Sequence, residues 1–251
     1  MTLRARFARY FTPHALRSYL AEFLSTFFFA FSAVASAMSA ARQHSDPASS
    51  AALVAVAVAN AFALSAAVYI SATVSGGHVN PAVTFGLAIG GHVSVPTALL
   101  YWIAQMSGAT LSCFLLKSFA VSQPVPAYSI AAQMTGFGAS VLEGVATFAL
   151  VYTVYASSDP RRCGSVGGVG SVMIGLVCGA GVLAIGPFSG GSMNPACAFG
   201  AGLASGRFRN QAVYWVGPLV GAALGGLLYE NVMFPSRVND DEDDDVNRVR
   251  A

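Results

Sequence analysis

The sequence predicts an all-α membrane protein with six transmembrane helices plus two re-entrant half-helices, laid out as an inverted repeat. Three observations carry that prediction: the composition, the spacing of apolar stretches, and a set of landmarks that occurs twice in the same order. Hydrophobic residues make up 55% of the 251 positions and charged residues only 10%. Soluble domains carry roughly a quarter charged residues, so this chain cannot cover itself in water. A helical span takes about 20 apolar residues, which leaves room for six or seven spans and none for a large soluble domain.

Taken in order, residues 1–15 form a basic tail with Arg4, Arg6 and Arg9, and Arg17 follows just inside the first span. Beside a hydrophobic segment these charges serve orientation rather than nucleic-acid binding. The first span, 16–38, is too long for a signal-peptide core and contains Glu22, so it is read as retained. Further spans are predicted at 51–74, 96–119, 133–156, 168–187 and 210–234. Polar or Pro-rich stretches separate them: residues 42–47, residues 122–126, and Asp159-Pro160-Arg161-Arg162. The closing segment, 235–251, carries Asp240, Asp241, Glu242, Asp243, Asp244 and Asp245 and reads as a solvated, disordered tail. One domain is therefore expected over 16–234, with half-repeats at about 16–119 and 133–234. Six spans put both termini on one side, together with Arg161 and Arg162. The positive-inside rule makes that side cytoplasmic.

The repeat is written in the residues. Glu22 with Thr26-Phe27 matches Glu143 with Thr147-Phe148, His78-Val79-Asn80-Pro81-Ala82 matches Ser192-Met193-Asn194-Pro195-Ala196, and Tyr101-Trp102 matches Tyr214-Trp215. Each half holds three spans, an odd number, so the second half enters the membrane from the opposite face.

Two segments, 75–89 and 189–203, are neither full spans nor polar loops, and both read Gly-Gly-x-x-Asn-Pro-Ala-x-x-Phe-Gly. Glycines permit a tight backbone path, Asn suits a helix cap, and Pro suits the first helical turn with its preset φ and missing N–H. Two or three apolar turns follow, so each segment is a half-helix. A helix beginning inside a bilayer leaves N–H groups that hydrocarbon cannot satisfy, so two inverted copies are expected to meet near the centre. Asn80 and Asn194 then offer amide donors to a passing solute, and the converging positive helix ends raise the energy of cations there.

These motifs, with Glu22, Glu143 and the repeated Tyr-Trp, make residues 16–234 resemble the aquaporins, the major intrinsic protein family. The stretches Ser75 to Gly86 and Leu150 to Tyr155 are most similar to the plant tonoplast intrinsic protein branch. The resemblance implies a passive channel for water and small neutral solutes in a lipid bilayer. It also implies a homotetramer, or a hetero-tetramer with related channels, with one pore per subunit. The implied location is the vacuolar membrane, with other endomembranes left open. No cofactor, metal or nucleic acid is expected.

The resemblance also implies a narrow filter set by four positions, which carry over by spacing to Asn60, Val182, Gly191 and Cys197. Most family members have an arginine where this chain has Cys197, and strict water channels have a large aromatic where it has Asn60. The opening is therefore expected to be wide and uncharged, with urea, glycerol, boric acid and hydrogen peroxide as candidate solutes. Cys197 can instead be read as a small buried filler. Tyr128 is a candidate at the pore mouth, where relatives with widened filters carry histidine, or else an interface-belt tyrosine. Glu22 and Glu143 are expected to accept hydrogen bonds from loop N–H groups beside each half-helix, and His78 to brace its loop.

Rival functions lack residues to carry them. A secondary transporter shares inverted repeats and broken helices but needs a coupling-ion site. An enzyme needs converging acid, base or nucleophile groups. His14, His44, His78 and His92 are scattered, and Cys113, Cys163, Cys178 and Cys197 show no ligand spacing. A non-conducting structural membrane protein is the remaining alternative.

Overall fold

In a computed structural model the chain is described over residues 8–43, 49–120, 123–159 and 168–234. Arg4, Arg6, Cys163, the Arg161-Arg162 pair, most of the 42–47 connection and the acidic tail lie outside the described residues. Among the described residues six helices are long and apolar enough to cross a membrane. The α-helices among the described residues are numbered in chain order: α1 (Pro13–Gln43), α2 (Ser50–Ser75), α3 (Pro81–Ile89), α4 (Val95–Phe119), α5 (Gly136–Ser158), α6 (Gly168–Ser189), α7 (Pro195–Ser205) and α8 (Val213–Leu228). α3 and α7 are the half-helices.

Local chemistry sets the starts. Ser49, Ser94 and Thr135 sit in extended backbone, and their side chains accept from Ala52 N, Thr97 N and Gly138 N. Each cap satisfies one of the four N–H groups that a helix start leaves open. α1 runs past the predicted 16–38 at both ends, because polar residues outside the hydrocarbon can continue a helix. α6 carries Pro187 inside it and ends at Ser189, beyond the predicted stop. α8 starts three residues late because Asn210 takes a positive φ of 60° and opens a turn. A π-helical turn, Tyr229–Met233, follows α8, and the Tyr229 hydroxyl donates to Asp159 Oδ2 at 2.6 Å.

The packing repeats as the sequence does. α1 lies along α4, and α5 along α8; α2 and α6 pack on each other across the two halves. Each half-helix packs against the last span of the opposite half, α3 on α8 and α7 on α4. Small residues make this close approach possible. A Cβ on Gly221 or Gly217 would run into the α5 backbone at Gly144 or Ser140, and one on Gly108 would run into the Phe23 carbonyl of α1. Close backbone contact replaces the hydrophobic drive that is missing between helices in lipid. Large side chains such as Phe62, Leu99, Phe137 and Leu224 remain exposed on the outside, where hydrocarbon suits them.

Candidate functional site

The two half-helices meet start to start. Asn80 and Asn194 occupy the cap positions of α3 and α7 in extended backbone, with Pro81 and Pro195 next and Ala82 and Ala196 after them. Each Asn Oδ1 accepts from the N–H two residues on, Ala82 N at 2.8 Å and Ala196 N at 3.0 Å. Each Asn Nδ2 crosses to the other half, Asn80 to the Met193 carbonyl at 2.8 Å and Asn194 to the Val79 carbonyl at 3.0 Å. One N–H of each amide is thereby used, and the other has no partner among the described residues.

The carbonyls that receive these bonds are aimed by unusual backbone. Val79 and Met193 have φ of 57° and 51°, in a region that side-chain-bearing residues rarely adopt. Such a conformation costs on the order of 1–3 kcal/mol and persists only where the surroundings enforce it. Here the enforcement is a buried carboxylate behind each loop. Glu22 Oε1 accepts from Ser75 Oγ at 2.6 Å and His78 N at 2.9 Å, and its Oε2 from Val79 N at 2.8 Å and Gln105 Nε2 at 2.8 Å. Glu143 Oε1 accepts from Ser189 Oγ at 2.6 Å and Ser192 N at 3.1 Å, and its Oε2 from Met193 N at 2.7 Å. Both carboxylates are fully buried. The Tyr101 and Tyr214 hydroxyls complete the pattern by donating to the Ser75 and Ser189 carbonyls.

The first half adds a network of its own. Thr84 Oγ1 donates to the Asn80 carbonyl and accepts from Gln105 Nε2. Its proton being used, the Thr84 oxygen must accept from His78 Nδ1 at 3.0 Å. The His78 ring is thus held in one tautomer, with Nε2 unpartnered.

One cavity is lined by the junction itself, and a second by the Gly190-Gly191 turn that precedes Asn194. The inner one, a constriction of only about 10 Å³, is lined by Asn80, Asn194, His78, Met193 and Cys178 among others. The outer one of about 430 Å³ is lined by Asn60, Val182, Gly191 and Tyr128 among others. Among the described residues no Asp, Glu, Lys or Arg lines either cavity. Asn60 holds its Nδ2 to the Val56 carbonyl at 2.8 Å. Gly191 lies against α6, where an added Cβ would stand 3.0 Å from Val182 Cα. Burial pushes the Tyr128 phenol well above its ordinary pKa, so it stays an uncharged hydroxyl.

Three of the four filter candidates thus share a wall with Tyr128. The fourth does not: Cys197 is 1% exposed in the core cluster that also holds Val182 and Cys178, and it lines neither cavity. Sequence reasoning missed Val79, Met193, Gln105 and Thr84, and it missed Cys178 on the inner wall. The slot directly before each Asn was a usable signal for the first pair. Cys178 stands four residues before Val182, on the same face of α6. A third cavity on the same side as the outer one brings Arg207 and Arg209 beside Tyr128. Among the described residues no three His, Cys, Asp or Glu side chains cluster as metal ligands do.

Comparison with known proteins agrees with this construction. The major intrinsic protein family model matches residues 10–229. The chain is 61% identical over 181 residues to the probable aquaporin TIP5-1 of Arabidopsis thaliana, covering 72% of this chain and 70% of that one. Against the probable aquaporin TIP5-1 of Oryza sativa subsp. japonica it is 52% identical over 241 residues, 92% of this chain and 89% of the relative. The solved aquaglyceroporin from Plasmodium falciparum shares the fold, with a TM-score of 0.74 over 88% of this chain and 97% of that one at 23% identity. With family model, relatives and fold in agreement, the chain belongs to the major intrinsic protein family: it is an aquaporin most like the tonoplast intrinsic proteins, a passive membrane channel for water and small neutral solutes and not an enzyme.

Proposed function

We propose that the permeation path runs from the outer cavity, past Asn60, Val182, Gly191 and Tyr128, to the Asn80–Asn194 junction and through the inner cavity. Urea, glycerol, boric acid and hydrogen peroxide pass with water. The observation that carries this reading is that no charged side chain among the described residues lines either cavity. A neutral solute then exchanges hydrogen bonds with the spare Asn N–H groups, the Asn60 carbonyl oxygen and the Tyr128 hydroxyl. A cation meets two converging helix N-termini and finds no carboxylate on the described cavity walls to bind. Cys197 acts by what it lacks: a neutral thiol tucked into the core leaves the outer cavity open where an arginine would cross it.

Glu22, Glu143 and His78 hold the two loops in their strained path and take no part in proton transfer. The domain comprises residues 16–234, with a basic tail before it and an acidic, solvated tail after it, both cytoplasmic. The likeness to relatives named TIP supports a vacuolar membrane location, and the exposed apolar helix faces are consistent with subunits joining as tetramers.

Uptake of labelled urea into proteoliposomes tests the filter. Wild type is expected to take up urea well above protein-free vesicles and Cys197→Arg to lose most of that uptake. Equal exclusion of urea by both would refute the reading.

A further inference from the structure

The third cavity holds two cations for which the fold has no use. It measures about 790 Å³ and lies between the turn after α7, with Arg207 and Arg209, and the segment 127–132. Lys117, at the same end of the molecule, donates to the Ala204 carbonyl at 2.7 Å and so serves the C-terminal end of α7. Arg207 and Arg209 are exposed and make no hydrogen bond or ion pair among the described residues. Their backbone is nonetheless fixed. Gly206 at a φ of 72° and Asn210 at 60° shape the turn, and Arg207 N donates to the Gly202 carbonyl at 3.0 Å. Phe208, between the two arginines, rests edge-on against Phe199 with ring centroids 5.8 Å apart. The facing wall is equally unpaired: among the described residues none of the main-chain N–H groups of 127–130 has a partner, nor does the Ser129 hydroxyl. No Asp or Glu among the described residues lines the cavity. Glu22 and Glu143 are tied to the half-helix loops, and Asp159 and Glu230 lie at the ends of α5 and α8, on the opposite face.

We propose that this cavity binds a phosphate group between Arg207 and Arg209, and that its occupation slows solute passage through the outer cavity. The charges match: a phosphate group bears roughly −1.5 to −2 near pH 7, against two guanidiniums that each offer a planar fork of donors to its oxygens. Free phosphate and the headgroup of an anionic lipid present the same chemistry, and Phe208, 43% exposed beside the pair, leaves the site open to both. The coupling follows from a shared wall. Residues 127–131 line both this cavity and the outer one. Tyr128 among them packs on Gly190, where an added Cβ would stand 3.0 Å from Tyr128 Cδ1. A phosphate that ties this segment to the turn after α7 removes the give that a solute larger than water needs to pass Tyr128. This second half of the proposal rests on the permeation path given above; the binding does not.

Binding is measured by calorimetric titration of the full-length protein, in an uncharged detergent at constant ionic strength, with inorganic phosphate. Half-saturation is expected on the order of 1 mM. Arg207→Gln combined with Arg209→Gln should raise it about tenfold, through loss of the charge-assisted contacts. Arg42→Gln, which removes a charge from the end of α1 on the same side, should leave it within about twofold. In phosphatidylcholine vesicles, saturating phosphate on both faces should slow urea entry about fivefold, the low end of coupling between sites, and the double variant should not respond. Vesicles with added phosphatidic acid separate the two sources: slowing without free phosphate, lost in the double variant, assigns the site to lipid, and slowing by free phosphate alone assigns it to the soluble ion. Absence of saturable binding, binding unchanged in the double variant, or equal weakening in Arg42→Gln would overturn the site. Saturable binding with unaltered urea entry overturns the coupling. Should the double variant fail to fold, the single variants decide: each is expected to raise half-saturation about threefold, and no change in either overturns the site. Phosphate-free flux no faster than that of empty vesicles sinks the permeation reading instead, and calorimetry still decides the site.

Discussion

The loop before α3 and the loop before α7 reach the same backbone shape with unequal support. Both place a residue at positive φ before the Asn, Val79 at 57° and Met193 at 51°, and both tie it to a buried glutamate. Behind the first, Glu22 receives four donors, and Gln105, Thr84 and His78 form a connected network. Behind the second, Glu143 receives three donors, and Pro218 and Ala198 stand where the repeat has Gln105 and Thr84. The repeat therefore fixes what the backbone requires, a capped helix start and a carboxylate for the stranded N–H groups. It leaves the packing around that requirement free to drift.

Removing the carboxylates should break the comparison most severely. Glu22→Ala strands four buried donors and Glu143→Ala three, each costing about 1–3 kcal/mol, so both should lose on the order of 4 kcal/mol or more. The first is expected to melt lower than the second in detergent. A Glu22→Ala protein as stable as wild type would show that the network is idle.

Next in size is the shared Asn pair. Asn80→Ala and Asn194→Ala each remove a helix cap, worth about 1 kcal/mol, and a buried cross-half hydrogen bond, worth about 1 kcal/mol more. The two losses should be alike within about 0.5 kcal/mol. One of them proving silent would mean that the halves are not equivalent where the account needs them to be. In the second half alone, Cys197→Arg places a charge at the outer cavity and should cut urea flux about tenfold, the equivalent of 1.4 kcal/mol, with a smaller effect on water. Flux ratios of urea to water in the two proteins measure it.

The smallest change sharpens the comparison by making the first half like the second. Thr84→Ala leaves the His78 Nδ1 proton without an acceptor and should cost about 1 kcal/mol, read as a modest drop in melting temperature. The converse substitution, Ala198→Thr, has no such network to join and should not stabilise.

Much of this was legible in the residues because the membrane restricts the options. Stretches of apolar residues bounded by Pro, Gly and charge had to be spans, and a Gly-Gly-x-x-Asn-Pro-Ala segment too short to span had to be a capped half-helix. The span ends were less legible. Asn210 adopts a left-handed turn that delays α8, and Pro187 is absorbed inside α6, since neighbouring helices can satisfy what a proline leaves open. The outer cavity was harder than the junction. The Asn pair is built twice from adjacent residues, whereas the outer wall draws residues from α1, α2, α6 and two loops. Spacing placed Asn60, Val182 and Gly191 there, but it could not show that Cys197 points into the core. Nor could it reveal Cys178 or Met193, since a thiol or thioether in an apolar stretch looks the same whether it faces a helix or a cavity.

Two capped half-helices that meet on an uncharged path, as proposed above, should conduct neutral solutes. Stopped-flow light scattering on purified protein in liposomes, run with water, urea, glycerol and boric acid gradients, tests it most directly. Vesicle relaxation under the urea gradient should be about tenfold faster than in protein-free liposomes, as for a barrier lowered by roughly 1.4 kcal/mol, and should slow in Asn80→Ala and Asn194→Ala alike. Relaxation at the protein-free rate for all four gradients would contradict the account.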